Sequence, residues 1–314
     1  MRIFIIGGTG LTGSYLLPRL IKAGHEIWAL TRSEAKIEKI EALGAECIIG
    51  DIRLPSQFLP HLPGTPDLII LLAMPSVTPG KRVTRARKKE LKQETNDFFR
   101  NSMELALKFH IPVILPGGTS FRTRNDEIAD ETWNIRRKGI LEIGSDTDGM
   151  VEEAFRKGEP KTIQLLYGKI YGNGGLFRKM YEMMRTGKMK IIGSGRNYIP
   201  NIHASDAASA IMCAIEKLPV GHRFIIADDI PVSQADFTIH MARLMNQNKP
   251  GKIPGFIVRT VIGKDLFEAI SMDCKVSNEK AKKLLGWKPV YTSYKEGLEN
   301  VIGEMMTHGP YFGK

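Results

Sequence analysis

The chain has 314 residues, 42% hydrophobic and 25% charged, with a net charge of +11 and three cysteines. That length can bury a sizeable core, as two domains or as one large domain with an elaborated lobe, and the composition excludes a disordered or low-complexity chain. No apolar run is long enough to cross a membrane, no signal-peptide pattern follows Met1, and Cys47, Cys213 and Cys274 are too scattered for a disulfide framework, so a reducing, cytoplasmic setting is expected.

A buried strand is predicted at 2–6 (RIFII), running directly into GGTGLTG and a helix over 13–23. Gly7, Gly10 and Gly13 have GxxGxxG spacing. Glycines there permit a tight turn and let backbone N–H groups approach a pyrophosphate, so Gly7, Thr9, Gly10, Leu11 and Gly13 are candidate cofactor-binding residues. The bland alternative is a glycine-rich turn without a ligand. A Walker A loop is excluded because Ser14 stands where lysine is needed. The second strand, 26–30 (EIWAL), ends in TRSEAK. An acidic residue at this tip would select NAD; Arg32 instead suits the 2′-phosphate of NADP, so NADP is favoured and NAD comes second. In the alternative, Arg32 is solvated and Ser33 merely caps a helix over 33–42.

Strands follow at 46–50 (ECIIG) and 67–73 (DLIILLA). The run KRVTRARKKELK at 81–92 leads a helix over 88–109. Such runs usually decorate an exposed helix, and the sharper reading is an anionic partner. The strand 112–116 (PVILP) ends in GGTS, with Arg122 and Arg124 beyond it as anion clamps or surface residues. A helix over 147–157 is preceded by Ser145 and Asp146, either of which can cap it. The strand 162–166 (TIQLL) is followed by Tyr167, Lys169 and Tyr171. Apolar strands alternating with helices imply a parallel sheet covered on both faces. Beyond 166 the pattern changes: a helix near 175–187, a short strand KIIG, a helix near 204–217, a strand at 223–227, then mostly helix broken by Pro250, Pro254 and Pro289. The predicted class is α/β, a Rossmann-type doubly wound parallel sheet with a smaller, mostly helical substrate-binding lobe. The NADP-binding domain is assigned to 1–166 plus about 204–227, and the lobe to 167–203 and 228–314.

The motifs, in this order, resemble those of the extended short-chain dehydrogenase/reductase family, the NAD(P)-dependent epimerase/dehydratase type. GGTGLTG is similar to the family's nucleotide loop. GDI at 50–52 resembles its GD[LI], which places Asp51 and Ile52 near the adenine. DLIILLAMP resembles the strand that sets Ala73 beside the cofactor. Asn96 matches the asparagine of the fourth helix, IYGNGG the YG turn, NIHASDAASAI the segment carrying His203 and Asp206, and KAKKLLGWKP the C-terminal motif.

The resemblance also exposes a gap. The family's YxxxK pair supplies a phenol for proton transfer and an ammonium that lowers its pKa and holds the ribose. Aligned through the helix that follows, GSDTDGMVEEAF puts Asp146 at the tyrosine, Met150 at the lysine and Glu153 at the downstream glutamate. Gly117 and Gly118 stand where a hydroxyl belongs, with Thr119 and Ser120 slightly late. The resemblance thus implies an oxidoreductase with a non-standard acid/base, for which Asp146, Tyr171, Thr119, Ser120 and Lys169 are the candidates. Asp146 as a plain helix cap and Tyr171 as a structural turn residue are the competing readings. The substrate expected is small and polar, anionic or a nucleotide-sugar. The alternatives are a non-catalytic NADP(H)-binding regulator or scaffold and, less favoured, an RNA-binding protein, since no aromatics interleave the basic run. A homodimer through helices 88–109 and 147–157 is a further expectation. With no HExxH and no paired His/Cys spacing, no metal site is expected.

Overall fold

The computed structural model describes residues 1–75, 82–124, 126–135 and 137–308. Lys81 of the basic run and the last six residues of the predicted lobe lie outside them. One sheet organises the chain. Its strands are β1 (Arg2–Ile6), β2 (Glu26–Thr31), β3 (Glu46–Ile49), β4 (Leu68–Leu71), β5 (Val113–Gly118), β6 (Thr162–Tyr167) and His222–Ile226. Every pairing is parallel, and the order across the sheet is His222–Ile226, β6, β5, β4, β1, β2, β3. Winding reverses between β1 and β4, which opens a crevice at the strands' C-terminal ends.

The continuous apolar runs are explained by burial on two faces. Along β1, Ile3 and Ile5 pack with Leu16, Leu17 and Leu20 of helix Leu11–Lys22 and with Ala207, Ile211 and Ala214 of helix Ala204–Lys217. Phe4 and Ile6 point the other way, against Phe98, Phe99 and Met103 of helix Arg85–Phe109 and Val151 and Ala154 of helix Ser145–Lys157. A two-residue period places alternate side chains on opposite faces, so a strand covered on both faces is apolar nearly throughout. Truncating Leu16 or Leu20, both fully buried, to alanine would cost about 2–5 kcal/mol.

Two helix starts differ from the sequence expectation. The long helix begins at Arg85, because the Thr84 hydroxyl accepts the Arg87 N–H at 3.1 Å and caps that turn. Helix Ser145–Lys157 has Gly144 at its cap position, and neither Ser145 nor Asp146 caps it. The Ser145 hydroxyl donates backward to the Glu142 carbonyl at 2.8 Å.

Outside the sheet, three two-stranded ladders join Lys169–Tyr171 to Asn201–His203, Tyr198–Ile199 to Val232–Ser233, and Ile191–Ile192 to Lys252–Ile253. With helices Gly175–Arg185, Gln234–Leu244 and Tyr294–Thr307 they surround a separate apolar cluster that includes Tyr171, Phe177, Phe237, Met241 and Leu298. Asp206 ties the C-terminal motif down: its buried carboxylate accepts the N–H groups of Val290 and Tyr291, each at 2.9 Å. Trp287, also buried, donates its indole N–H to Ser209 at 2.9 Å. Among the described residues no helix is long and apolar enough to cross a membrane.

Candidate active site

The turn after β1 is closed by sterics that only glycine satisfies. Gly7 has φ +88°, and a Cβ there would lie 2.6 Å from the Ala73 nitrogen. A Cβ on Gly13 would lie 2.0 Å from the Gly8 carbonyl oxygen. The helix that follows starts at Leu11 with no side-chain cap and no acidic residue in its first turn. Its first N–H groups are therefore free of side-chain acceptors, which makes this helix start a favourable place for a phosphate. Gly10 is less constrained; a Cβ there would meet only the Gly7 carbonyl, at 3.4 Å.

The tip of β2 adds positive charge beside this loop. Lys36, half-buried, donates to the Thr9 hydroxyl at 3.0 Å. Burial, with Arg32 nearby, holds the Lys36 pKa below its ordinary value. Arg32 itself is 65% exposed and lies 3.6 Å from Asp51. Burial works against the Asp51 charge, but Arg53 at 2.5 Å outweighs it and keeps the carboxyl below its usual range. Ile52 is buried, and its carbonyl accepts the Asn101 amide at 2.7 Å. Ala73 donates its N–H to the Ile6 carbonyl at 3.0 Å, which locks the end of β4 against the glycine turn.

A cleft of about 470 Å³ continues from Gly7, Gly10, Leu11 and Gly13 across the ends of β4, β5 and β6. Its further walls include Leu72, Phe99, Gly117, Gly118, Ser120, Arg137, Ile143, Gly144, Thr147, Gln164 and Tyr167. Arg137 is the only charged side chain among the described lining residues. Burial raises the Tyr167 pKa, so its phenol stays protonated. Gly117 is forced by close packing, since a Cβ would fall 2.4 Å from Leu166.

The structure brings only part of the expected acid/base set into this cleft. Ser120 lines it and is buried. Thr119 is turned away, its hydroxyl donating to the Tyr167 carbonyl at 3.2 Å. The placement of Asp146 in the cleft is corrected. It lies outside the lining, its side chain 44% exposed, with Lys92 at 2.8 Å and the Asn96 amide donating at 2.8 Å. Lys92 and then Asn96 hold its carboxyl below the ordinary range, the opposite of what a general acid needs. Tyr171 is corrected likewise. It is buried in the second cluster, donates to Asp228 at 3.2 Å, and burial raises its pKa. Its hydroxyl packs so tightly that a Cβ on Gly297 would lie 2.0 Å away. Lys169 is half-buried between the cleft-lining Gly168 and Ile170 but does not itself line the cleft; burial lowers its ammonium to about 8. Arg122 pairs with Glu268 at 3.1 Å, and neither it nor Arg124 lines the cleft.

The register of the opening turn explains the correction. The cleft is reached from Gly144, two residues before Asp146, while Asp148 lies beyond its lining. Met150 packs into the core beneath the sheet. Gly144 and Thr147 line the cleft, and Asp148 holds Arg137. Sequence reasoning missed Arg137, Gly144, Thr147, Asp148 and Gln164. The one available signal was a glycine and an aspartate four residues apart. Three cations of the basic run are paired: Arg87 with Glu90 and Glu94, Lys88 with Glu142 and Asp265, Lys92 with Asp146.

A parallel sheet in this order, a glycine loop at its first turn and a cleft at its switch point define a Rossmann-type fold. The model of the NAD dependent epimerase/dehydratase family matches residues 3–114. The chain is 22% identical to a 3-diazoavenalumate denitrifying reductase of a Streptomyces species, over 95% of this chain and 99% of that one. It is 23% identical to a 4-hydroxy-2-methyl-3-oxo-4-farnesyl-3,4-dihydroquinoline-1-oxide ketoreductase of Stigmatella aurantiaca, over 95% of each. The crystal structure of human epimerase family protein SDR39U1 with NADPH superposes with a TM-score of 0.81 at 20% identity, covering 98% of this chain and 100% of that one. Other similar folds are dehydratases and epimerases described with NAD. The matched segment carries the glycine loop and strands β1 to β4, and over nearly its whole length the chain is similar to these proteins in fold.

Proposed function

We propose that the protein is an NADP(H)-dependent oxidoreductase that interconverts a carbonyl and an alcohol, or chemically similar groups, on a small substrate. The observation that carries this reading is the joined geometry of the glycine loop and the β2 tip. Gly7 and Gly13 keep the turn open to a pyrophosphate, while Lys36, bonded to Thr9, and the exposed Arg32 near it supply positive charge suited to an adenosine 2′-phosphate. Asp51, held ionised by Arg53, stands beside them on the adenine side. Two relatives named as reductases support the same class of chemistry. When bound, the nicotinamide would supply or accept the hydride.

The chain's own residues then shape the substrate end. Leu72, Phe99, Ile143 and Ile170 exclude water, while Ser120, Arg137 and Gln164 offer polar contacts. This lining favours a substrate with an apolar body and one oxygen-bearing group. A nucleotide-sugar would call for more donors along the wall. The test is NADPH oxidation by the purified protein across a panel of aromatic and aliphatic ketones. Turnover with at least one of them supports the reading. Saturable NADPH binding with no oxidation by any member would favour a non-catalytic cofactor-binding role.

A further inference from the structure

The tyrosine and lysine of the family pattern are absent, but the space is not empty. A Cβ on Gly144 would lie 3.0 Å from the Arg137 guanidinium carbon. The guanidinium thus packs directly on the bare Cα at the head of the helix, where a side chain would crowd it. Asp148, one turn along, fixes it: Arg137 Nε donates to one carboxylate oxygen at 2.5 Å and a terminal nitrogen donates to the other at 2.7 Å. The second terminal nitrogen donates to Ser120 Oγ at 3.0 Å. The pair is nearly enclosed, with side-chain exposures of 11% for Arg137 and 18% for Asp148.

This fork is not fully used. Each terminal nitrogen of a guanidinium bears two N–H groups. One on each is engaged, and the other has no partner among the described residues. The Ser120 hydroxyl accepts from Arg137, so its own hydrogen is also free to donate. Arg137 and Ser120 both line the cleft.

We propose that Arg137, positioned by Asp148 and paired with Ser120, is the oxyanion-binding element of this cleft and replaces the missing phenol and ammonium. The inference rests on the reading of the cleft as a nicotinamide-dependent one. An arginine does not give up its proton near neutral pH, so it acts by charge and hydrogen bonding. As a hydride adds to the carbonyl carbon, the C=O π pair moves onto oxygen. The Arg137 N–H groups and the Ser120 hydroxyl meet that charge, and the proton that completes the alcohol comes from water. The substrate class that fits is an apolar ketone, or a nitrogen analogue that gains charge on an equivalent atom.

The test uses benzoate, an apolar ring bearing a delocalised oxyanion, titrated into the full-length protein saturated with NADP⁺. Wild type should bind benzoate in competition with substrate ketones, and Arg137→Met should weaken that affinity roughly tenfold or more, the size of a lost charge-assisted hydrogen bond. Arg137→Lys should also lose most of it, because a point charge lacks the fork. Removing Arg137 alone leaves Asp148 buried without its partner, so the single variant can fold poorly. Arg137→Met with Asp148→Leu restores an apolar packing, and should recover the melting temperature without recovering benzoate binding. NADPH binding should persist in every variant, since none touches the phosphate loop. Equal benzoate affinity in wild type and the double variant, or no binding by wild type, overturns the proposal. Failure to bind NADPH would instead overturn the oxidoreductase reading on which it stands.

Discussion

The two ends of the cleft follow different rules. At the phosphate end, Gly7 and Gly13 are held by backbone atoms that no side chain could displace, and the spacing in the sequence reads directly into the geometry. At the other end, the tyrosine–lysine pair that the resemblance implied is missing, and Arg137 enters the lining from an irregular stretch. The difference is that a pyrophosphate is bound mainly by backbone, whose requirements are written as glycines. Proton transfer and charge stabilisation are done by side chains, and more than one set of side chains can fill the same volume.

The sharpest way to break this contrast is at the first end. Gly13→Ala places a methyl 2.0 Å from the Gly8 carbonyl oxygen, so the loop must open. NADPH affinity should fall about 100-fold, corresponding to roughly 3 kcal/mol, measured by nicotinamide fluorescence. An affinity within about threefold of wild type would show that the loop does not bind the cofactor.

A second test asks whether the residues flagged near the lobe are structural. His203 is fully buried and accepts the Ser205 N–H at 3.1 Å on Nδ1, with the Asn300 side chain beside it. Burial lowers its pKa from 6.5 to about 4. The unfolded chain therefore binds this proton more readily, and stability should fall as pH drops from about 6.5 to about 4, by up to roughly 3 kcal/mol. Denaturant melts over that range should show the loss, and His203→Gln should flatten it. An unchanged slope in the variant would assign the loss to other groups.

The smallest effect is expected at Asp146. Its carboxylate is exposed and paired with Lys92, so Asp146→Asn should change kcat less than twofold on any substrate found, and stability by at most about 1 kcal/mol. A fall in kcat beyond tenfold would return Asp146 to the catalytic set.

Much of the fold was legible because it depends on periodicity. The apolar strands and the covering helices could be read from RIFII, DLIILLA and TIQLL, because a strand buried on both faces is apolar nearly throughout. The phosphate loop was legible for the steric reason given above. Arg137 was not. It lies between β5 and the helix Ser145–Lys157, in a stretch whose only helix or strand among the described residues is the 3₁₀ turn Gly139–Gly144. Only the fold brings it to Asp148 and Ser120. Asp146 and Met150 were aligned through a downstream glutamate, and Glu152 and Glu153 lie side by side, which leaves the register of the first turn ambiguous. Tyr171 resembled a functional tyrosine because Tyr-Gly turns look alike in sequence, whether the ring packs in a core or faces a cleft.

The measurement that bears most directly on the central claim is a pair of titrations, NADPH and NADH, on wild type and Arg32→Glu. Wild type should bind NADPH at least tenfold more tightly than NADH, and Arg32→Glu should remove that preference while leaving NADH affinity within about threefold, the signature of a lost phosphate contact. Equal affinities in wild type would contradict the NADP assignment, and no binding of either dinucleotide would contradict the reading of the fold as a working nicotinamide site.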